Sequence, residues 1–436
     1  MLNVLSNRTY RRLFLAQVVA LIGTGLATVA LGLLAFDLAG NNAGEVLGTA
    51  LAIKMVAYIG VAPVAAAFAS YWPRRNLLVA LDFVRALVAM TLPFVNQTWQ
   101  IYLLIFVLQS ASAAFTPTFQ ATIPDVLPDE DDYTKALSLS RLAYDLESVA
   151  SPILAAALLS IVNFHSLFGG TAFGFLASAA LVVSVVLPKA APTVRRGIYD
   201  RTTRGIRIYL ATPRLRGLLA FNLAVASASA MVIVNTVVLV QARFGLSQHA
   251  TAWALAAFGG GSMLSALLLP KLLHNVSDRN VMLSGAIILV TGLLFGVVVN
   301  SYALLLPLWF TLGLGYSLAQ TPSGRQLRRS AHAEDRPSLF AAQFALSHAC
   351  WLITYPLAGW SGAKLGLPQT FGVLGALACV AVFVSAKLWP RHDPEQIIHN
   401  HDNLPAEHPH LAEHLVGGIH EHEFIIDDNH PHWPKA

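Results

Sequence analysis

An all-α membrane protein, with about twelve transmembrane helices in two pseudo-symmetric six-helix bundles, is what this 436-residue sequence predicts, and three observations carry that prediction. Charged residues are 12% of the chain and apolar residues 56%, whereas an ordinary soluble domain carries about 25% charged residues. Such a chain cannot cover a water-facing surface. Long apolar stretches recur, each long enough at about 1.5 Å per residue to cross a hydrocarbon core of about 30 Å. Landmarks of the first half then return in the second half at one fixed offset, as internal repeats do.

The expected spans of the first half are Leu13 to Phe36, Val46 to Ala69, Asn76 to Val95, Trp99 to Ala121, Ala136 to Val162 and Leu167 to Leu187. Those of the second are Gly217 to Val240, Ala250 to Pro270, Val281 to Asn300, Ala303 to Thr321, Leu339 to Ser361 and Pro368 to Trp389. These runs are continuous rather than alternating, which excludes β-barrel strands and leaves helices. No small-residue cleavage site follows the first span, so it reads as a retained helix.

Lys and Arg collect on the cytoplasmic side of spanning helices. Arg8, Arg11 and Arg12 precede span one, Arg74 and Arg75 follow span two, Lys271 and Arg279 follow span eight, and Arg325, Arg328, Arg329 and Arg336 follow span ten. The opposite connections hold little beyond Arg243 and Lys364. A multi-pass protein of the cytoplasmic (inner) membrane with both termini in the cytoplasm is therefore expected. The basic residues form no aromatic-interleaved stripe, so nucleic acid is not a partner. Cys350 and Cys379 lie inside predicted spans and supply no disulfide framework. No nucleophile constellation, phosphate loop or nucleotide fingerprint supports an enzyme or an ATP-driven pump.

The repeat offset is about 204 residues: Arg75-Asn76 falls on Arg279-Asn280, Thr116-Pro117 on Thr321-Pro322 within one residue, Glu130-Asp131 on Glu334-Asp335, and Pro152 on Pro356. The expected organisation is an N-terminal bundle over 1–188, a basic cytoplasmic linker over 189–216, a C-terminal bundle over 217–390, and a His-rich cytoplasmic tail over 391–436.

On these residues the chain resembles the major facilitator superfamily over Met1 to Trp389. That family carries, after its second span, a Gly, an Asp-Arg pair, Gly-Arg-Arg, and later Asp-x-x-Arg. Here Ala69-Ser70-Tyr71-Trp72-Pro73-Arg74-Arg75 is followed by Asp82 and Arg85; Ser70 stands in place of the acid and Pro73 in place of the glycine. The resemblance implies a monomeric secondary transporter whose two bundles rock about a central cavity. Arg74, Arg75, Asp82 and Arg85 are expected as anchors at the cytoplasmic face.

Ionisable groups near the bilayer midplane cost several kcal/mol unless paired or facing water, so each is a functional candidate. Asp145 and Glu147 lie roughly 14 to 17 Å along span five. Arg141 and Asp145 share a helix face and are expected as a buried ion pair; Tyr144, Glu147 and Ser151 share the adjacent one. Glu147 has no local cation and reads as a proton carrier or cation ligand. The offset carries Tyr144 onto His348, either an interhelical hydrogen-bonder or a proton-coupling group. Lys54 pairs with an acid such as Asp37, or neutralises Glu147. Gln17, Asn222, Asn235, Gln320 and Gln343 suit a cavity lining or helix packing equally.

After Arg391 come four His-x-His pairs: His399/His401, His408/His410, His420/His422 and His430/His432. In an extended chain residues two apart project to one side, so each pair presents two imidazoles to one cation; neutral imidazole suits Zn, Cu, Fe and Ni, and the tail is expected to bind a divalent metal such as Ni, Co or Zn. The tail has few packing residues and is expected to be disordered without metal. No obligatory cofactor is expected. The tail also resembles those of the nickel and cobalt resistance branch, which implies proton-coupled export of divalent metal ions. The alternative is an exporter of drugs, siderophores or other small organic compounds with a regulatory tail.

Overall fold

The computed structural model describes residues 2–39, 43–69, 72–188, 197–391, 393, 396–398, 415–416 and 419–434. The first half forms α1 (Arg8–Ala39), α2 (Ala43–Ala69), α3 (Arg74–Thr91), α4 (Thr98–Val126), α5 (Glu130–Leu159) and α6 (His165–Val183). After α7 (Ile198–Ala211) follow α8 (Pro213–Val237), α9 (Gln248–Asn275), α10 (Asp278–Gly296), α11 (Tyr302–Gln320), α12 (Ser323–Arg329), α13 (Arg336–Lys364) and α14 (Leu367–Leu388). A small antiparallel sheet of β1 (Gln396–Ile398), β2 (Leu415–Val416) and β3 (Ile419–Glu423) closes the described chain, with β3 central.

Among the described residues ten helices are long and apolar enough to cross a membrane, and α5, bent by 41°, makes an eleventh. With α13 they match the twelve spans expected. Their apolar residues run around the helix because one side meets lipid and the other meets helices. Specific residues start them: Asp129 caps α5 by accepting the Asp132 amide at 2.9 Å, placing three acids in the first turn where the helix dipole favours them.

In the first bundle α1 packs on α6 and α5, α3 on α6 and α4, and α2 on α4; in the second α8 packs on α14 and α13, and α11 on α9 and α10. The 204-residue offset carries α2 onto α9 and α5 onto α13. The bundles meet chiefly along α2–α13 and α5–α9, two contacts related by the repeat, with α4 also packing on α13. Small residues let the first of these close: Ala62, Ala113 and Ala341 are buried together beneath Tyr58 and Phe344.

Ion pairs lock the end of the seam at which the arginines gather, called here the basic end. Asp125, at the end of α4, accepts from Arg74 of its own bundle and from Arg336 of the other at 2.7 Å. Arg325 bridges Asp278 at 2.9 Å and Glu130 across the seam at 2.6 Å, and Arg328 donates to the Pro128 carbonyl. These contacts hold the basic end closed. With Asp125→Ala, Arg74 and Arg336 lose their shared acceptor, so the end is expected to open more often. Maleimide labelling of an Ala341→Cys variant, with the two native cysteines replaced by Ser, should then rise several-fold; unchanged labelling would show that Asp125 is no latch.

Within the expected basic linker, residues 198–211 form α7, whose Arg204, Gly205, Ile208 and Tyr209 share one face buried against α13. Residues 189–196 of that linker lie outside the described residues. One expectation is corrected: the end of the tail is not without packing, since Phe424, Ile425 and Ile426 are buried.

Candidate functional site

Helix geometry brings the predicted midplane groups to the seam. Arg141 and Asp145, one turn apart on α5, form the expected ion pair, with Nε to Oδ1 at 3.0 Å. The pair also crosses between bundles. Asp145 accepts from Ser262 of α9 at 2.6 Å, and Arg141 donates to the Tyr316 hydroxyl of α11 at 3.2 Å with its guanidinium 4.7 Å from that ring's centre. Every polar group here has a partner, so the pair serves as a joint between bundles.

The repeat supplies the matching joint. His348 of α13 sits edge-on to Tyr58 of α2 with ring centres 4.7 Å apart and packs against Phe344 at 4.3 Å. Its Nδ1 lies 2.7 Å from the Phe344 carbonyl, which fixes the ring. The offset carries Tyr58 onto Ser262 and Tyr144 onto His348. An aromatic contact therefore stands on one side of the seam where a carboxylate–hydroxyl bond stands on the other.

Glu147 and Lys54 lie beside these joints. They stand on α5 and α2, the two helices through which the first bundle meets the second, and among the described residues no ion pair within 4 Å joins them. The Lys54 ammonium lies 5.5 Å from the centre of the Tyr58 ring, one turn along, and the Tyr58 hydroxyl donates to Gln109 of α4 at 2.9 Å. Glu147 and Ser151 lean on α1 at Gly25. A Cβ there would stand 2.6 Å from Glu147 Oε1 and 2.2 Å from Ser151 Cβ, so a larger residue would push Ser151 away and shift the carboxylate. Tyr144 lies beside Gln17 and Arg141.

Sequence reasoning missed Tyr58, Gln109, Gly25, Ser262 and Tyr316. Tyr58 was within reach, since it stands four residues after Lys54 on the same face. Gly25 was not, because its role depends on which helix packs there. The uncharged candidates resolve mostly to packing: Gln343 accepts from Tyr209 at 2.5 Å, Asn222 donates to Gln343 at 3.4 Å, Asn235 donates to the Ala358 carbonyl at 3.2 Å, and Gln17 accepts from Ser140 at 3.0 Å.

The four anchor residues divide. Arg74 joins the lock at the basic end, and Arg75 is exposed there. Asp82 and Arg85 form an ion pair buried two to three turns into α3. Ser178 of α6 donates to Asp82 at 2.8 Å, and the Arg85 guanidinium lies 3.9 Å from the Phe115 ring centre and 4.5 Å from that of Phe175. This pair ties α3, α4 and α6 together.

Of the tail histidines, His399, His401, His408 and His410 lie outside the described residues. His420 falls in β3, while His422, His430 and His432 are described. Among the described residues no three His, Cys, Asp or Glu side chains stand in metal-holding geometry. Asp427 instead takes a bond from His430 Nδ1 at 2.7 Å and lies 3.5 Å from His332 Nε2, and that hydrogen bond holds the His332 imidazole above its ordinary pKa.

Comparison with known proteins places this geometry. The sequence profile described as Major Facilitator Superfamily matches residues 13–234 and 218–413. An uncharacterized MFS-type transporter, YfiS of Bacillus subtilis (strain 168), is 23% identical over 73% of this chain and 78% of its own. Macrolide efflux protein A of Streptococcus pyogenes is 22% identical over 35% of this chain and 40% of its own. The crystal structure of the human organic anion transporter MFSD10 superposes with a TM-score of 0.76 at 12% identity, covering 87% of this chain and 99% of the other. At that identity the superposition shows a shared fold.

Proposed function

This chain belongs to the Major Facilitator Superfamily, and from that premise we propose that it is a proton-driven exporter of small organic solutes in the cytoplasmic membrane. The observation that carries the reading is the placement of two opposite charges inside the spanning helices of the first bundle beside the seam: the Glu147 carboxylate lies against Gly25 of α1, and the Lys54 ammonium lies 5.5 Å from the Tyr58 ring centre. A buried ammonium and carboxylate are tolerable together and costly apart. A proton taken up on Glu147 leaves Lys54 uncompensated; its release restores the counter-charge. Coupling follows when the closed basic end favours one state and the open end the other.

The organic cargo is supported by the aromatic surroundings of the ammonium: Lys54 lies by Tyr58, whose ring centre is 4.8 Å from that of Phe344, which suits an amphipathic compound with a polar handle. The similarity to a macrolide efflux protein supports outward transport. Arginines at the basic end support its placement in the cytoplasm with both termini, and a cavity formed between two bundles of one chain needs no second copy.

Export of divalent ions such as nickel or cobalt is a second reading, favoured by the four His-x-His pairs. Everted vesicles separate the two. Under an imposed pH gradient, lipophilic drugs of macrolide type should be taken up and Ni2+ should not. Uptake of Ni2+ alone would overturn the organic reading.

A further inference from the structure

Beyond transport itself, the last described stretch of the tail, residues 419–434, is seated on the second bundle. Phe424 and Ile426 enter one apolar cluster with Tyr209 of α7, Leu327 of α12, Phe340 of α13 and Trp389. Polar contacts flank this plug. Asp428 accepts from Arg204 at 3.1 Å, and the other nitrogens of Arg204 donate to Asp335 at 2.5 and 2.7 Å. Trp433 packs on Phe424 with centres 5.1 Å apart and lies 5.2 Å below the Arg214 guanidinium.

The seat adjoins the lock. Asp335 immediately precedes Arg336, through which α13 holds Asp125 of the first bundle. α7 presses on the same turn: a Cβ on Gly205 would stand 2.0 Å from the Ser338 carbonyl oxygen, so glycine is required for the approach. Tail, α7 and the start of α13 form one clasp.

This segment also carries two of the His-x-His pairs, and seating uses their rings for something other than metal. His430 is 4% exposed, its Nδ1 meets Asp427, and its ring lies 4.7 Å from Phe424 and 4.9 Å from His422. A transition-metal ion needs a ring-nitrogen lone pair and an open approach. His430 can therefore ligate one only once the segment lifts. A ligand that binds one of two states shifts the equilibrium toward it.

We propose that residues 419–434 are an autoinhibitory clamp on the lock at the basic end, released when a divalent transition-metal ion binds the histidines of that same segment, His422 and His430 among them. Seated, the clamp keeps Arg204 and Asp335 drawn together and α13 in its closed position. Lifted, it removes Asp428 and the Phe424–Ile426 plug, and α13 moves more freely. The clamp works for any cargo; it rests on the transporter reading only for its effect on rate.

Hydrogen exchange of the full chain in nanodiscs, with and without Ni2+, tests it. Amide protection over 424–430 should fall about tenfold when Ni2+ is at ten times its dissociation constant. The Ile426→Asp variant should exchange fast without metal and respond no further. A variant with His399→Gln, His401→Gln, His408→Gln and His410→Gln should keep the response, because His422 and His430 remain. Protection that is unchanged or raised by saturating Ni2+ would overturn the proposal. So would an unaltered solute flux in Ile426→Asp proteoliposomes when wild type is active. Wild type without any flux would count against the export reading alone, with exchange still deciding the clamp.

Discussion

Glu147→Gln is expected to reduce pH-gradient-driven efflux to the level of empty vesicles while solute counterflow persists. Glutamine keeps the shape that fits beside Gly25 and the ability to accept a hydrogen bond, but it cannot carry a proton. Export against a gradient needs that proton; exchange of labelled for unlabelled solute does not, because the bundles return loaded. The two measurements together distinguish a coupling role from a structural one. If Glu147 served only to neutralise Lys54, both activities would fail in Glu147→Gln, and the double variant Glu147→Gln/Lys54→Met would regain both. Efflux that survives in the single variant would remove Glu147 from the coupling scheme.

Asp82→Ala is expected to destabilise the first bundle by about 3–5 kcal/mol, the usual cost of removing one member of a buried pair. Asp82 has no exposed surface and Arg85 has 5%. Without the carboxylate the guanidinium stays trapped between Phe115 and Phe175 with no counter-charge, and the Ser178 hydroxyl loses its acceptor. A thermal melt in detergent should show the loss as a lowered midpoint. Removing both charges in Asp82→Ala/Arg85→Leu should recover most of it, since the penalty comes from an unpaired charge. Equal instability in the single and double variants would mean that the pair contributes through packing rather than charge.

Much of the architecture was legible because lipid imposes simple demands on a sequence. A segment that crosses the bilayer must be long, apolar and internally hydrogen-bonded. The spans read from hydropathy therefore fall on the long helices, and the 204-residue offset maps each helix of the first bundle onto its counterpart in the second. The Arg141–Asp145 pair was legible too, because one turn of helix fixes its spacing. That the linker holds a helix, α7, was not legible, because basic residues dominate 189–216 and its short apolar face becomes useful only against α13. The tail was misread for a similar reason: Phe424-Ile425-Ile426 is too brief a run to announce packing within a histidine-rich stretch.

Composition and periodicity determined that this is a multi-pass helical protein with two related halves, since both follow from how many residues a membrane requires and how often landmarks return. What stands beside each charge was decided only by tertiary structure. Glu147 lies against Gly25, Asp145 bonds Ser262 more than a hundred residues away, and Asp82 is sealed inside a bundle, because helix rotation and crossing set which faces meet. Those quantities are properties of packed helices, and a linear pattern of hydrophobicity does not contain them.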